Sequence, residues 1–188
     1  MDMTRALIVI DVQESFRARS EWELINNPKI AEPVGRLVRL AREAGDLVVW
    51  VLHSEPGSGD VFDPALGHVR LMDELDRHDD EPLVLKTSHN AFTSTNLQQQ
   101  LTERGIRELT VCGIRTEQCV ETTTRVGSDL GYQVTFVPDA TATNPITRGG
   151  VTLSSDEIVQ RTVFALADRF ATIATVDELE RAAADAAR

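Results

Sequence analysis

Six short apolar runs divide this chain, and most of the stretches between them carry helical spacing. The runs predict strands over residues 5–11, 47–52, 83–86, 108–112, 132–137 and 171–174. A strand that is apolar throughout, without polar alternation, is buried on both faces, as in a parallel sheet covered by helices. Between the strands, apolar residues recur with a helical period, as at Leu37, Val38, Leu40 and Ala41. The pattern predicts helices over 34–43, 94–104, 117–130, 154–170 and 176–188. Glycines at 45, 105 and 131 end the first three, and a capping-box-like Ser154-Ser-Asp-Glu157 starts the fourth.

This alternation predicts an α/β fold: a three-layer α/β/α, Rossmann-like sandwich around a mainly parallel six-stranded sheet. The 188 residues suit one domain over 1–188, with a long excursion at 53–81 and an Ala-rich helical tail at 176–188. Residues 12–33 and 139–153 read as loops. The second holds Asn144-Pro145 and Gly149-Gly150. Ligands of such sheets bind beyond the carboxyl ends of the strands, where the strand order reverses.

Charge and composition exclude several classes of partner. The net charge of −11 argues against nucleic acid and anionic membranes. No apolar run approaches the ~20 residues that span a bilayer. The chain enters its first strand without a basic and apolar leader, and its two cysteines lie in unlike contexts. Both features point to the cytoplasm. The acidic stretch 73–81 reads as a solvated surface, with a metal site as the alternative. Neither Gly-x-Gly-x-x-Gly nor a phosphate-cradling Gly-x4-Gly-Lys-Ser/Thr occurs, so a nucleotide cofactor has no support.

Three reactive side chains sit at strand ends. Cys119 follows the fourth strand, at the turn into a helix. Unpaired N–H groups at a helix start favour a thiolate, the nucleophilic form. Cys112, inside the strand, reads as a small buried hydrophobe. Lys86 ends the third strand in a chain with 17 Arg and two Lys. It is either a snorkelling side chain or an ammonium kept for its chemistry. Asp11 ends the first strand, as a turn cap or a general base.

With these residues in view, the chain resembles the isochorismatase-like cysteine hydrolases. The matching pieces are Leu7-Ile-Val-Ile-Asp11-Val-Gln13 with Phe16; Lys86 with Asn90-Ala-Phe92; Gly113-Ile-Arg-Thr-Glu-Gln-Cys119-Val; and Gly131-Tyr-Gln-Val with Asp139-Ala140. The resemblance implies a triad of Asp11, Lys86 and Cys119. It also implies a cis peptide between Ile114 and Arg115, and an oxyanion hole built from the backbone N–H groups of Arg115 and Cys119. In the implied chemistry, protonated Lys86 lowers the Cys119 pKa and Asp11 takes the thiol proton. Cys119 then attacks an amide-type carbonyl, and water hydrolyses the thioester.

Metal-binding nicotinamidases of that family use Asp-x-His. Here His53 has Val51 two residues before it, and His68 and His78 lie at spacings that do not match. No metal and no cofactor are expected. The expected substrate is a small amide, ureido or carbamoyl compound, cleaved at a carbon–nitrogen bond. The alternatives are an isochorismatase-type vinyl-ether hydrolase and a non-catalytic binding or redox-sensing protein. Candidate substrate contacts are Phe16, His53, His89, Phe92, Arg115 and Ile146. Most have a second reading: packing for the two Phe, ordinary surface positions or a supporting place behind the reacting groups for the His, and a Glu117 or Glu121 partner for Arg115. The resemblance implies a homo-oligomer, dimer or tetramer, with Trp22 and the Ala-rich tail as candidate contacts.

Overall fold

The computed structural model describes residues 4–186 and 188. Its central sheet has six strands: β1 (Arg5–Ile10), β2 (Leu47–His53), β3 (Leu83–Lys86), β4 (Glu108–Ile114), β5 (Gln133–Ala142) and a short last strand, Thr172–Ile173. Their order across the sheet is β3-β2-β1-β4-β5 and then Thr172–Ile173, and every pairing is parallel. The order reverses between β1 and β4, so a crevice opens beyond their carboxyl ends.

Alternate side chains of each strand enter opposite layers. Leu7, Val9, Val48 and Trp50 pack with Leu37, Val38 and Ala41 of α2 (Ala31–Ala44) and with Val176, which opens the C-terminal helix Val176–Ala186. On the other face Ile8, Ile10, Val49 and Val51 share a core with α3 (Leu97–Glu103), the helix Glu121–Asp129 and the helix Ser155–Leu166. Residue 187, placed by the sequence in the terminal helix, lies outside the described residues.

Several boundaries differ from the sequence reading. Residues 12–33 are not all loop: α1 (Glu14–Arg17) and a 3-10 turn (Ser20–Leu24) lie there, and α2 begins at Ala31. Pro33 is accommodated because first-turn N–H groups have no intrahelical acceptor. The helix predicted from 94 starts only at Leu97. Asn90, Ser94 and Thr95 side chains instead hydrogen-bond the backbone of Phe92, Thr93, Thr87, Ser88 and Leu97, which holds a turn.

Strand β5 does not close at Pro138. Val137–Ala140 loops out, and Thr141 and Ala142 rejoin β4 opposite Gly113 and Ile114. The expected loop at 139–153 contains a hairpin, Ile146–Arg148 with Val151–Leu153, turned by Gly149 and Gly150 at φ 55° and 80°. Two positive φ values are what a tight two-residue hairpin demands, and glycine meets them without steric cost.

The acidic stretch is not uniformly solvated either. Glu81 is buried, accepts from Trp50 Nε1 at 2.7 Å and takes a two-pronged contact from Arg42. Against the cost of burial, these bonds hold its carboxyl below the usual range. They anchor one end of the 53–81 excursion. Met72 N–H, donating to Val12 O, holds its middle beside the mouth of the crevice.

Candidate active site

The three strand-end residues meet in the crevice. Lys86 Nζ is 2.8 Å from Asp11 Oδ2 and 3.4 Å from Cys119 Sγ. Asp11 and Lys86 are fully buried, and Cys119 is 7% exposed. Asp11 is the first residue past β1. It leaves the strand at φ 54°, a left-handed conformation that Asp tolerates better than most residues, and its N–H donates to Val51 O. Lys86 is the last residue of β3. Cys119 belongs to a π-helical turn, Thr116–Val120, between β4 and the helix Glu121–Asp129.

Burial governs the electrostatics. It pushes the Cys119 thiol up to about 12, Asp11 adds to the push, and Lys86 opposes both without overcoming them. The Lys86 contribution has the expected sign, and burial outweighs it. The sequence argument counted helix N–H groups and could not count lost water. Burial also raises the Asp11 carboxyl, with Lys86 pulling it back. Although Lys86 sits at ion-pair distance, neither Asp11 oxygen accepts a well-directed hydrogen bond. Open lone pairs beside the thiol make Asp11 a candidate acceptor for its proton.

The approach of β4 to β1 fixes the turn that carries Cys119. A Cβ on Gly113 would lie 1.9 Å from Ile10 O, so only glycine fits, at φ 129°. The Ile114–Arg115 peptide that follows is cis. Thr116 Oγ1 donates to Thr141 Oγ1 at 2.8 Å, tying the turn to the rejoined end of β5. Thr143 Oγ1 donates to Glu117 Oε2 at 2.6 Å.

The other candidates distribute unevenly. His53 lies inside the cluster, with Nδ1 3.3 Å from Lys86 Nζ. Phe16 is buried and stands edge-on to Phe62, which stands edge-on to His53. Arg115 pairs with neither Glu117 nor Glu121: its Nη2 donates to Asn144 Oδ1 at 2.7 Å. Arg125 and Arg161 occupy Glu121. Phe92 turns into the core, stacked on Tyr132 and against Gly127, so its packing reading holds. His89 is exposed on the loop after β3, and Ile146 is half-buried at the start of the hairpin. Trp22 is half-buried, packed against the core with Arg17 over its ring. Among the described residues, no group of three or more His, Cys, Asp and Glu could hold a metal ion. No helix among them is long and apolar enough to cross a membrane.

Sequence reasoning missed Gln13, Glu55, Phe62 and Asn144. Fully buried Gln13 clamps His53 by its backbone, accepting from His53 N at 2.8 Å and donating to His53 O at 3.1 Å. Its position two residues past Asp11 was the available signal. Glu55 Oε1 lies 2.9 Å from His53 Nε2, a pairing that i, i+2 spacing on an extended segment allows. Phe62 and Asn144 come from the irregular stretches, where no periodicity marks a side chain.

Comparison with known proteins identifies the family. Residues 5–178 match the isochorismatase domain family. The isochorismatase family protein YrdC of Bacillus subtilis is 31% identical over 95% of this chain and 96% of its own. A streptothricin hydrolase of Streptomyces noursei is 33% identical over 94% of this chain and 61% of its own. The crystal structure of an isochorismatase from Pseudomonas putida KT2440 superposes with a TM-score of 0.85 at 30% identity, covering 93% of this chain and 89% of that one. The fold is that of a hydrolase family. The chain belongs to the isochorismatase family.

Proposed function

We propose that this protein is a cysteine-dependent amidohydrolase acting on a small amide, ureido or carbamoyl compound. The observation that carries the reading is Lys86 standing between the Asp11 carboxyl and the Cys119 thiol in a buried cluster. Because burial raises the thiol, attack needs a base, and Asp11 has open lone pairs beside it. Asp11 takes the proton as Sγ bonds the carbonyl carbon and the C=O π pair moves to oxygen. Backbone N–H groups of Arg115 and Cys119 hold that oxyanion. When the C–N bond breaks, Asp11 returns the proton to the departing nitrogen and leaves a thioester on Cys119. Water then attacks the thioester, giving one proton to Asp11 and from there to the sulfur. Lys86 keeps the sum of charges low throughout.

Phe16, Arg115, Ile146 and His89 are the proposed outer walls for substrate. The similarity to a streptothricin hydrolase supports hydrolysis as the reaction class. Both cysteines are free, which suits the reducing cytoplasm, and we keep a homo-oligomer as part of the proposal. A second reading, vinyl-ether cleavage, draws on the raised Asp11 carboxyl, which suits an acid as well as a base. Ammonia release from a panel of amides, ureido acids and carbamoyl compounds tests the first reading. Parent activity that Cys119→Ala loses supports it. Activity on isochorismate that survives in Cys119→Ala supports the second and overturns the first.

A further inference from the structure

Lys86 is fully buried, and an ammonium has three N–H donors and no acceptor. Asp11 Oδ2 at 2.8 Å is an ion-pair contact without a well-directed hydrogen bond. The hydrogen-bond partners of Lys86 are Cys119 Sγ at 3.4 Å and His53 Nδ1 at 3.3 Å. That nitrogen can accept only if the ring proton sits on Nε2. Glu55 Oε1, 2.9 Å from Nε2, takes a proton there and offers none. The tautomer is thereby set from outside the cluster. His53 pairs with Lys86 in the β2–β3 register, Gln13 grips its backbone on both sides, and the Phe62 ring closes over it.

We infer that His53, oriented by Glu55, is a positioning residue: it supplies Lys86 with a hydrogen-bond acceptor beside the Asp11 ion pair and so aims the ammonium at the Cys119 sulfur. The inference deepens the proposed triad and rests on Lys86 and Cys119 working together, but its test needs no substrate. Without the His53 acceptor, the head group has a further buried N–H to satisfy and is free to turn from the sulfur toward Asp11. The thiolate then loses part of its stabilisation. The groups facing His53 are Lys86, Asp11 beyond it and Glu55; Phe62 and Gln13 bring no charge.

The readout is the rate at which iodoacetamide alkylates Cys119 at pH 8.5, with peptide mass assigning the label to Cys119 rather than to fully buried Cys112. His53→Leu keeps bulk against Phe62 but offers no acceptor. His53→Asn carries an oxygen near the place of Nδ1, whereas His53→Gln extends its amide toward the place of Nε2. The expected result is a rate about tenfold lower in His53→Leu and His53→Gln, equivalent to one unit in the thiol pKa, with recovery in His53→Asn. Equal rates in His53→Leu and His53→Asn, or a parent-like rate in His53→Leu, overturn the inference. If His53→Leu does not fold, Glu55→Ala at its half-exposed position takes its place. There a slower rate in the same direction supports the inference and a parent-like rate overturns it. A normal alkylation pattern in a protein that hydrolyses none of the panel would remove the amidohydrolase reading and leave this one standing.

Discussion

Replacing Lys86 by Met keeps the stem and removes the charge from a pair in which both side chains are fully buried, 2.8 Å apart. At an effective dielectric of about 20, that separation corresponds to an attraction of roughly 6 kcal/mol. The full amount is not lost, because the abandoned Asp11 carboxylate escapes by taking a proton. Protonating a carboxyl of unfolded pKa ~3.9 at pH 7 costs about 1.4 kcal/mol per pH unit, or about 4 kcal/mol in all. That figure falls inside the ~3–5 kcal/mol range for breaking a buried pair. The sign follows from the raised folded pKa: the neutral carboxyl is without penalty below its unfolded pKa, and stability is lost as pH rises above it. Because burial already raises this carboxyl in the parent, Lys86→Met should be less stable than the parent by at most about 4 kcal/mol at pH 7 and by at most ~1.5 kcal/mol at pH 5. Urea unfolding followed by far-UV circular dichroism at both pH values measures this. Asp11→Asn combined with Lys86→Met should recover most of the loss and abolish its pH dependence. A deficit under 1 kcal/mol, or one equal at the two pH values, would refute the reasoning.

Two other perturbations have defined outcomes. Gly113→Ala would put a Cβ 1.9 Å from Ile10 O at φ 129°, and urea unfolding should report a loss of about 3 kcal/mol or more, with activity falling alongside. Burial raises both thiols, Cys119 up to about 12 and Cys112 as well. Their contribution to stability is complete below the unfolded thiol pKa of ~8.5 and disappears as pH rises toward the folded values. The urea midpoint should fall between pH 8.5 and 11, less steeply in Cys112→Ala; a flat profile would contradict the burial argument.

What the sequence made legible was mostly local. The apolar runs identified all six strands of the main sheet. Central β1 and β2 are buried on both faces and have nowhere to put a polar residue, whereas edge strand β3 is apolar although Leu83 and Leu85 are exposed. Chain direction alone then set Asp11, Lys86 and the turn to Cys119 on one edge. Long-range pairing was less visible. Pro138 reads as a strand stop, yet the chain steps out over Val137–Ala140 and rejoins β4, since tertiary pairing outweighs one missing donor. The upward push of burial on the Cys119 thiol was not legible, because desolvation depends on what the fold stacks around the sulfur. The His53 contact with Lys86 depends on the β2–β3 register, which no local pattern encodes.

The central claim is that Cys119 carries the acyl group. A turnover quenched in acid within one catalytic cycle, followed by peptide mass analysis, tests it directly on any amide the panel identifies. The account predicts the acyl mass on the Cys119 peptide of the parent and no turnover in Cys119→Ala. Full turnover with Cys119 unmodified, and undiminished in Cys119→Ala, would contradict it.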